Sequence, residues 1–287
     1  MADKPDRNID VKEEKTTRLI LVGTVHRDPL GKKRLYHLLK DLRPSAISLE
    51  VSPASVRLRK LWAPRWAKIF KERLAELSRQ DGLKPGRMMQ RAGLRGVFEY
   101  YRLPYEYRAS LDYAREYDCP LFLLDDSSLA KNFLNRLEDE ILDRENMTRL
   151  NQAKSDTTME QEVLEEYGRA RIRIFSPQPW AGPWLNDKEA WAERETRLSQ
   201  KIRLLHQGLG RRVGQSIEGR NLERSLIITP DALAHTPQTV NLAPEAPHVY
   251  VGGWEHLVED QAGQGLFTLL KDLAPERRLC FTPGPEG

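Results

Sequence analysis

The feature that most constrains this chain is a strand, a helix and a second strand in close succession near its start. TRLILVG (17–23) is a short apolar run bounded by polar residues, which reads as a buried strand because it is too brief for a helix. Asp28 and Pro29 follow and predict the N-cap and first-turn proline of a helix whose buried face is Leu35, Leu38, Leu39 and Leu42. Pro44 stops that helix, and AISLEV (46–51) resumes as a strand. A connection of this length permits parallel pairing, which a tight turn does not, so a β-α-β unit is expected.

The rest of the chain continues the alternation. A helical stretch runs from about Ser55 to Tyr101, with Gly82, Pro85 and Gly93 cutting it into pieces. Glu106 to Tyr117 reads as a helix and Pro120 to Leu124 as a third buried strand. Ser127 or Ser128 would cap a helix carrying Leu129, Phe133, Leu137 and Ile141. Residues 143–225 are polar and helical in pattern, broken by the loop SPQPWAGPW (176–184), and read as an insertion. LIIT (226–229) and HVYVGG (248–253) then read as strands, followed by a helix with Leu266, Leu269 and Leu270 and a last strand, RLCFT (278–282). The expected fold is α/β: a mostly parallel central sheet built from both ends of the chain and flanked by helices. Residues 1–16 are expected to be a disordered segment, and 17–287 a single domain with its helical insertion at about 143–225.

Composition narrows the functional classes. With 287 residues, 39% of them apolar, the chain can bury a core without covalent staples. Cys119 and Cys280 have no CxxC partner, so neither a disulfide framework nor a thiolate zinc site is expected, and both read as buried small hydrophobes. The excess of 46 basic over 42 acidic residues is too small to require a polyanion, and nucleic acid is not an expected partner. RLRKLWAPRWAKIFKER (57–73) interleaves seven Lys or Arg with Trp62, Trp66, Ile69 and Phe70. It reads as a core-packed helix with a solvated basic face, an anionic surface being the alternative partner. Pro64 argues against one continuous helix there. With neither a signal peptide nor a run of ~20 apolar residues, a soluble, cytoplasmic protein without an integral membrane segment is expected. Homo-oligomerisation is left open. HExxH, GxSxG and GxxxxGK[ST] are absent, and GLGRRVG (208–214) has neither GxGxxG spacing nor a preceding strand, which disfavours dehydrogenase and kinase chemistry.

The strand ends carry the polar groups. The first runs into Gly23-Thr24-Val25-His26, the second into Glu50, the third into Asp125-Asp126, and the late one into Gly253-Trp254-Glu255-His256. Ligands of open parallel sheets bind at the carboxyl edge, so two imidazoles and several carboxylates are expected to meet there. Imidazole and carboxylate suit Zn, Mn, Co or Fe(II), and a metal with open positions activates water. A glycine three residues before each histidine would let the loop backbone approach a ligand closely. The other histidines, His37, His206, His235 and His248, lack such a setting and read as surface or packing residues.

The GTVH and GWEH motifs, Leu49-Glu50 between them, and YEYRASLDYAREYDCPLFLLDDS (105–127) resemble the TraB family, which includes the Tiki proteases, and the wider erythromycin-esterase and ChaN-like group. The resemblance implies a metal-dependent hydrolase acting on a peptide or ester, with His26, Glu50 and His256 at the centre. It matches Glu106 to a family glutamate, Asp125 to a strand-end aspartate and ligand, and Arg220-Asn221 to an Arg-Asn-like step. In the mechanism it implies, His26 and His256 hold a divalent metal, Glu50 completes its shell or acts as general base, and Arg220 stabilises an oxyanion. The chain departs from the family in having Trp254 and Glu255 where small residues are common, and Asp125-Asp126-Ser127 where Asp-Arg-Asp is frequent. The alternative reading is a non-catalytic protein holding a small ligand, metal or haem at the same edge.

Overall fold

The structure is a computed structural model that describes residues 17–153, 158–176, 188–210 and 246–282. Five strands, β1 (Leu19–Thr24), β2 (Ala46–Leu49), β3 (Leu121–Leu123), β4 (His248–Gly253) and β5 (Glu276–Leu279), form one sheet in the order β3-β2-β4-β1-β5. Every pairing is parallel. The α/β class, and a sheet drawn from both ends of the chain, are as the sequence implies.

The first β-α-β unit differs from the simplest expectation. β1 and β2 flank α1 (Gly31–Leu42) but do not pair, because β4 lies between them, with His248 opposite Leu19 on one side and Ala46 on the other. A crossover requires only that two parallel strands share a sheet. All residues of β4 are buried, as are those of β1 and β2, so the three inner strands have both faces covered.

Local boundaries also shift. α1 starts at Gly31 with Leu30 at its N-cap, not at Pro29 with Asp28 as the cap. Asp28 instead accepts the Leu30 N–H at 2.8 Å and the Arg34 guanidinium at 2.7 Å, which fixes the turn into the helix. Leu35, Leu39 and Leu42 are buried and Leu38 partly so. Gly31 lies against the Tyr105 ring, three carbons of which would stand 2.3–2.6 Å from an added Cβ. Overpacking of this kind costs roughly 1–3 kcal/mol, so Gly31→Ala is expected to lower the urea midpoint. Gly86→Ala, which adds a methyl with nothing within 4 Å, is its control. Equal midpoints for the two variants would contradict the contact.

The long helical stretch resolves into α2 (Pro53–Asp81), α3 (Pro85–Met88) and α4 (Ala92–Tyr101). Contrary to expectation, α2 continues through Pro64. The lost hydrogen bond is offset by packing: Trp66, Phe70, Leu74 and Leu77 line one face and are buried in a second core with α4, α6 (Ser127–Asn135) and α7 (Arg144–Gln152). Gly82 ends α2 with φ +66°, whereas Gly93 lies inside α4 and cuts nothing. α6 is capped by Asp126, whose carboxylate accepts the Ser128 N–H, not by Ser127 or Ser128. Leu129 is exposed, contrary to expectation, but Leu137, at the start of a π-turn (Leu137–Ile141), is buried as expected, Phe133 and Ile141 pack partly buried against the second core, and Leu134 joins them.

α5 (Tyr105–Tyr117) leads into β3, and α8 (Met159–Phe175) and α9 (Lys188–Gly210) follow α7. Tyr167 of α8 and Leu198 and Ile202 of α9 belong to the sheet's own core, so these parts of the expected insertion pack on the sheet. α10 (Leu266–Leu269) is a single turn, and β5 begins at Glu276, two residues ahead of the expected RLCFT strand. Cys119 and Cys280 are free and buried, as expected. The LIIT strand, residues 177–184 of the expected loop, Arg220, Asn221 and His235 lie outside the described residues.

Candidate active site at the carboxyl edge of the sheet

Adjacent strands β2, β4 and β1 release their chains at the same edge, and each supplies one group of the predicted centre. Glu50 follows β2, His26 follows β1, and a 3-10 turn (Trp254–Leu257) after β4 carries His256. Gly23 explains how the last two come together. A Cβ there would stand 3.0 Å from the Trp254 Cα and 3.0 Å from Leu257, so the first motif glycine admits the turn that bears the second histidine. Its role is protein packing, not the ligand approach expected from sequence.

Glu50 is the hub. Its Oε1 lies 2.9 Å from His256 Nε2 and accepts a hydrogen bond from Arg194, while its Oε2 accepts the Gly253 N–H at 2.7 Å and lies 3.9 Å from His26 Nε2. Each imidazole uses its other nitrogen on a second carboxylate. His26 Nδ1 is 2.8 Å from Glu106 Oε1, and His256 Nδ1 is 2.8 and 2.9 Å from the two Glu195 oxygens. Thr24 Oγ1 donates to the same Glu106 oxygen at 3.1 Å, and the Leu266 N–H donates to Glu195 at 2.8 Å. Carboxylate, imidazole and carboxylate thus alternate from Glu106 through His26, Glu50 and His256 to Glu195.

Burial differs along this chain of groups. The His256 side chain is 2% exposed and Glu195 0%, whereas the His26 side chain is 60% exposed and faces solvent. Burial disfavours the charged form of His256, but the Glu195 and Glu50 charges and hydrogen bonds outweigh it and raise its pKa to about 10. Desolvation likewise opposes the charge on His26, and Glu106, Glu50 and Glu255 prevail and raise it to about 9. For Glu50, desolvation favours the acid, yet His256 and Arg194 hold the carboxyl well below its usual range. Burial pushes the Glu255 carboxyl up, with the imidazoles only partly offsetting it.

The His256 shift has a stability consequence. A group whose pKa is raised on folding contributes stability that is complete below its unfolded value near 6.5 and is lost as pH rises through the folded value. Metal-free protein is therefore expected to lose urea resistance between pH ~6.5 and about 10, and His256→Asn to show a flatter profile across that window. The buried Tyr105, Tyr167 and Tyr250, all raised from 10, act only above it. Parallel profiles for the two proteins would contradict the buried imidazolium.

Sequence reasoning missed the contribution of α9. Trp191 stacks on the His256 ring, with centroids 5.0 Å apart and planes within 10°. Arg194 bridges Glu50 and Asp125, with Nε 2.9 Å from Asp125 Oδ1, and Glu195 holds His256. Arg197 pairs with Asp126 at 2.7 Å, and Lys201 donates to the Leu124 carbonyl. In the sequence these residues look like any charged helix, and only their place across the strand ends distinguishes them. Asp125 reaches the centre through Arg194. His248 is fully buried with its Nε2 against Ser48 Oγ, and burial lowers its pKa to about 3, so it is a neutral packing residue.

The donors suit a divalent cation by chemistry. Both Nε2 atoms turn toward one carboxylate while both Nδ1 atoms are held by others, the arrangement that fixes the tautomer of metal-ligating histidines. Among the described residues, no three His, Cys, Asp or Glu side chains already stand at ligand spacing. Compared with family models, with curated proteins and with solved structures, the chain matches none.

Proposed function

We propose that this chain is a metal-dependent hydrolase of the TraB type, acting on a peptide or ester bond at the carboxyl edge of the sheet. The observation that carries the reading is the convergence of His26 Nε2 and His256 Nε2 on Glu50, each imidazole braced from behind by its own carboxylate. His26, His256 and Glu50 would hold the cation, whose identity among Mn, Co, Fe and Zn is open. Such a cation supplies Lewis acidity, polarising a carbonyl and making water nucleophilic at neutral pH.

The protein's own groups would then divide the work. Glu106 and Glu195 keep the Nδ1 protons of His26 and His256 and so present both Nε2 atoms as donors. Glu50, held ionised by His256 and Arg194, is a weak general base because effective bases titrate near the working pH, and this favours its role as a ligand. Arg194, fixed between Glu50 and Asp125, is a described cation at the centre and would offset carboxylate charge there, whereas the oxyanion-stabilising role the resemblance gave to Arg220 falls on a residue outside the described ones. Exposed His26 marks the side from which substrate enters. No helix of the described residues is long and apolar enough to cross a membrane, which is consistent with a cytoplasmic setting.

The test is elemental analysis of protein purified without chelator or affinity metal, followed by a screen of peptides and esters with the recovered metal added back. Near-stoichiometric metal and metal-dependent hydrolysis support the reading. Absence of metal even after incubation with each ion would sink it.

A further inference from the structure

Glycines 252 and 253 leave space that named polar groups surround. A Cβ on Gly253 would stand 2.9 Å from Glu255 Oε2, 3.0 Å from His26 Nε2 and 3.6 Å from Glu50 Oε2. Three groups from the ends of three adjacent strands thus face one point that no side chain fills. A Cβ on Gly252 would stand 2.6 Å from the Tyr250 hydroxyl and 2.8 Å from Glu50 Oε2. Tyr250 is 0% exposed, and its hydroxyl has no hydrogen-bond partner among the described residues, nor has the buried Glu106 Oε2. Buried polar atoms without partners are rare and call for an absent ligand or water.

Charge points to the kind of ligand. Glu50, Glu106, Glu195, Asp125 and Glu255 are five carboxylates at this edge, against Arg194, Lys201 and at most two imidazolium rings, the Asp126–Arg197 pair beside them being neutral. Even with both histidines protonated, the acids exceed the bases. The Glu255 carboxylate makes no hydrogen bond or ion pair with another described side chain, although it lies beside His256 in sequence and faces His26 across Gly253. The other four carboxylates are each committed to a histidine or an arginine.

We propose that Glu255 is a direct ligand of the divalent cation, joining His26 and Glu50, which face the same open space beside Gly253, in the set that the metal reading completes with His256. This rests on the metal reading above and assigns a function to a residue at which the chain departs from the motif it resembles. It also explains why the second motif glycine must be small: a methyl at 253 would stand among the donor atoms.

The experiment is titration of chelator-treated, full-length wild type, Glu255→Gln and Glu255→Asp with Mn(II) and Zn(II) by calorimetry, with urea midpoints measured on the metal-free proteins. Loss even of outer partners weakens metal sites by roughly 10- to 100-fold, so Glu255→Gln is expected to raise Kd at least about tenfold. Glu255→Asp, which keeps the charge, is expected to fall between the two. Glu255 is half-buried and unpartnered, so the metal-free midpoints are expected to coincide. A wild type that binds metal beside a Glu255→Gln protein with the same Kd would overturn the ligand role and leave the metal centre standing. A wild type that binds neither of these ions, nor Co(II) or Fe(II) in the same titration, would overturn both.

Discussion

His26→Ala and His256→Ala proteins, purified without chelator beside the wild type, are each expected to lose the metal that the wild type carries. The two variants matter together because their surroundings differ. The His26 side chain is 60% exposed but pairs at 2.8 Å with the buried Glu106, so its removal is expected to lower the metal-free urea midpoint, though by less than removal of the fully enclosed His256. His256 is 2% exposed between Glu50 and Glu195, and truncating it leaves two buried carboxylates without that cation. Breaking a buried pair by removing one partner costs about 3–5 kcal/mol, so His256→Ala loses both metal and stability. Metal lost from a His26→Ala protein that still unfolds cooperatively in urea ties the loss to the ligand and not to unfolding. Metal retained in both variants would place it elsewhere on the protein.

Glu195→Ala is the second large effect. Glu195 has no exposed surface, braces His256 Nδ1 and accepts the Leu266 N–H at 2.8 Å. Its loss strands a buried imidazolium and a buried amide at once, and about 3–5 kcal/mol of stability is expected to go with it. Glu195→Gln keeps an acceptor for Leu266 and removes only the charge, so its cost is expected to be smaller. Gln200→Ala, at an exposed position of the same helix, is expected to stay within about 0.5 kcal/mol. Because Glu195 acts through His256, metal affinity should also fall by roughly 10- to 100-fold in Glu195→Gln. Urea unfolding and calorimetry measure the two separately. A Glu195→Ala protein as stable as the Gln200→Ala control would show that His256 does not depend on this carboxylate.

Both predictions concern contacts that the sequence shows unequally. Gly23-x-x-His26 and Gly253-x-x-His256 stand out because each follows an apolar run, and strand ends of parallel sheets gather at one edge. That logic brings Glu50 to the same edge as the two histidines without knowledge of strand order. It does not reach Trp191, Arg194 and Glu195, which lie more than a hundred residues from Glu50 in a helix of ordinary charged composition. Nothing in local spacing says which face of α9 lies across the sheet. Pro64 shows the same limit in the fold: its local preference is to break a helix, and the burial of Trp66, Phe70, Leu74 and Leu77 on one face overrides it.

By itself, then, the sequence determined the α/β class, the five short strands found in the sheet, and a pair of histidines and a carboxylate at strand ends. These follow from hydrophobic period and turn residues, which act over a few positions and are written locally. Only the tertiary structure decided that β4 separates β1 from β2, that Gly23 admits the turn bearing His256, and that Glu106 and Glu195 brace the two imidazoles. Those outcomes depend on which buried surfaces fit together. A buried charge is stable only where distant segments bring it a partner, and that partner is chosen by packing, not by spacing along the chain.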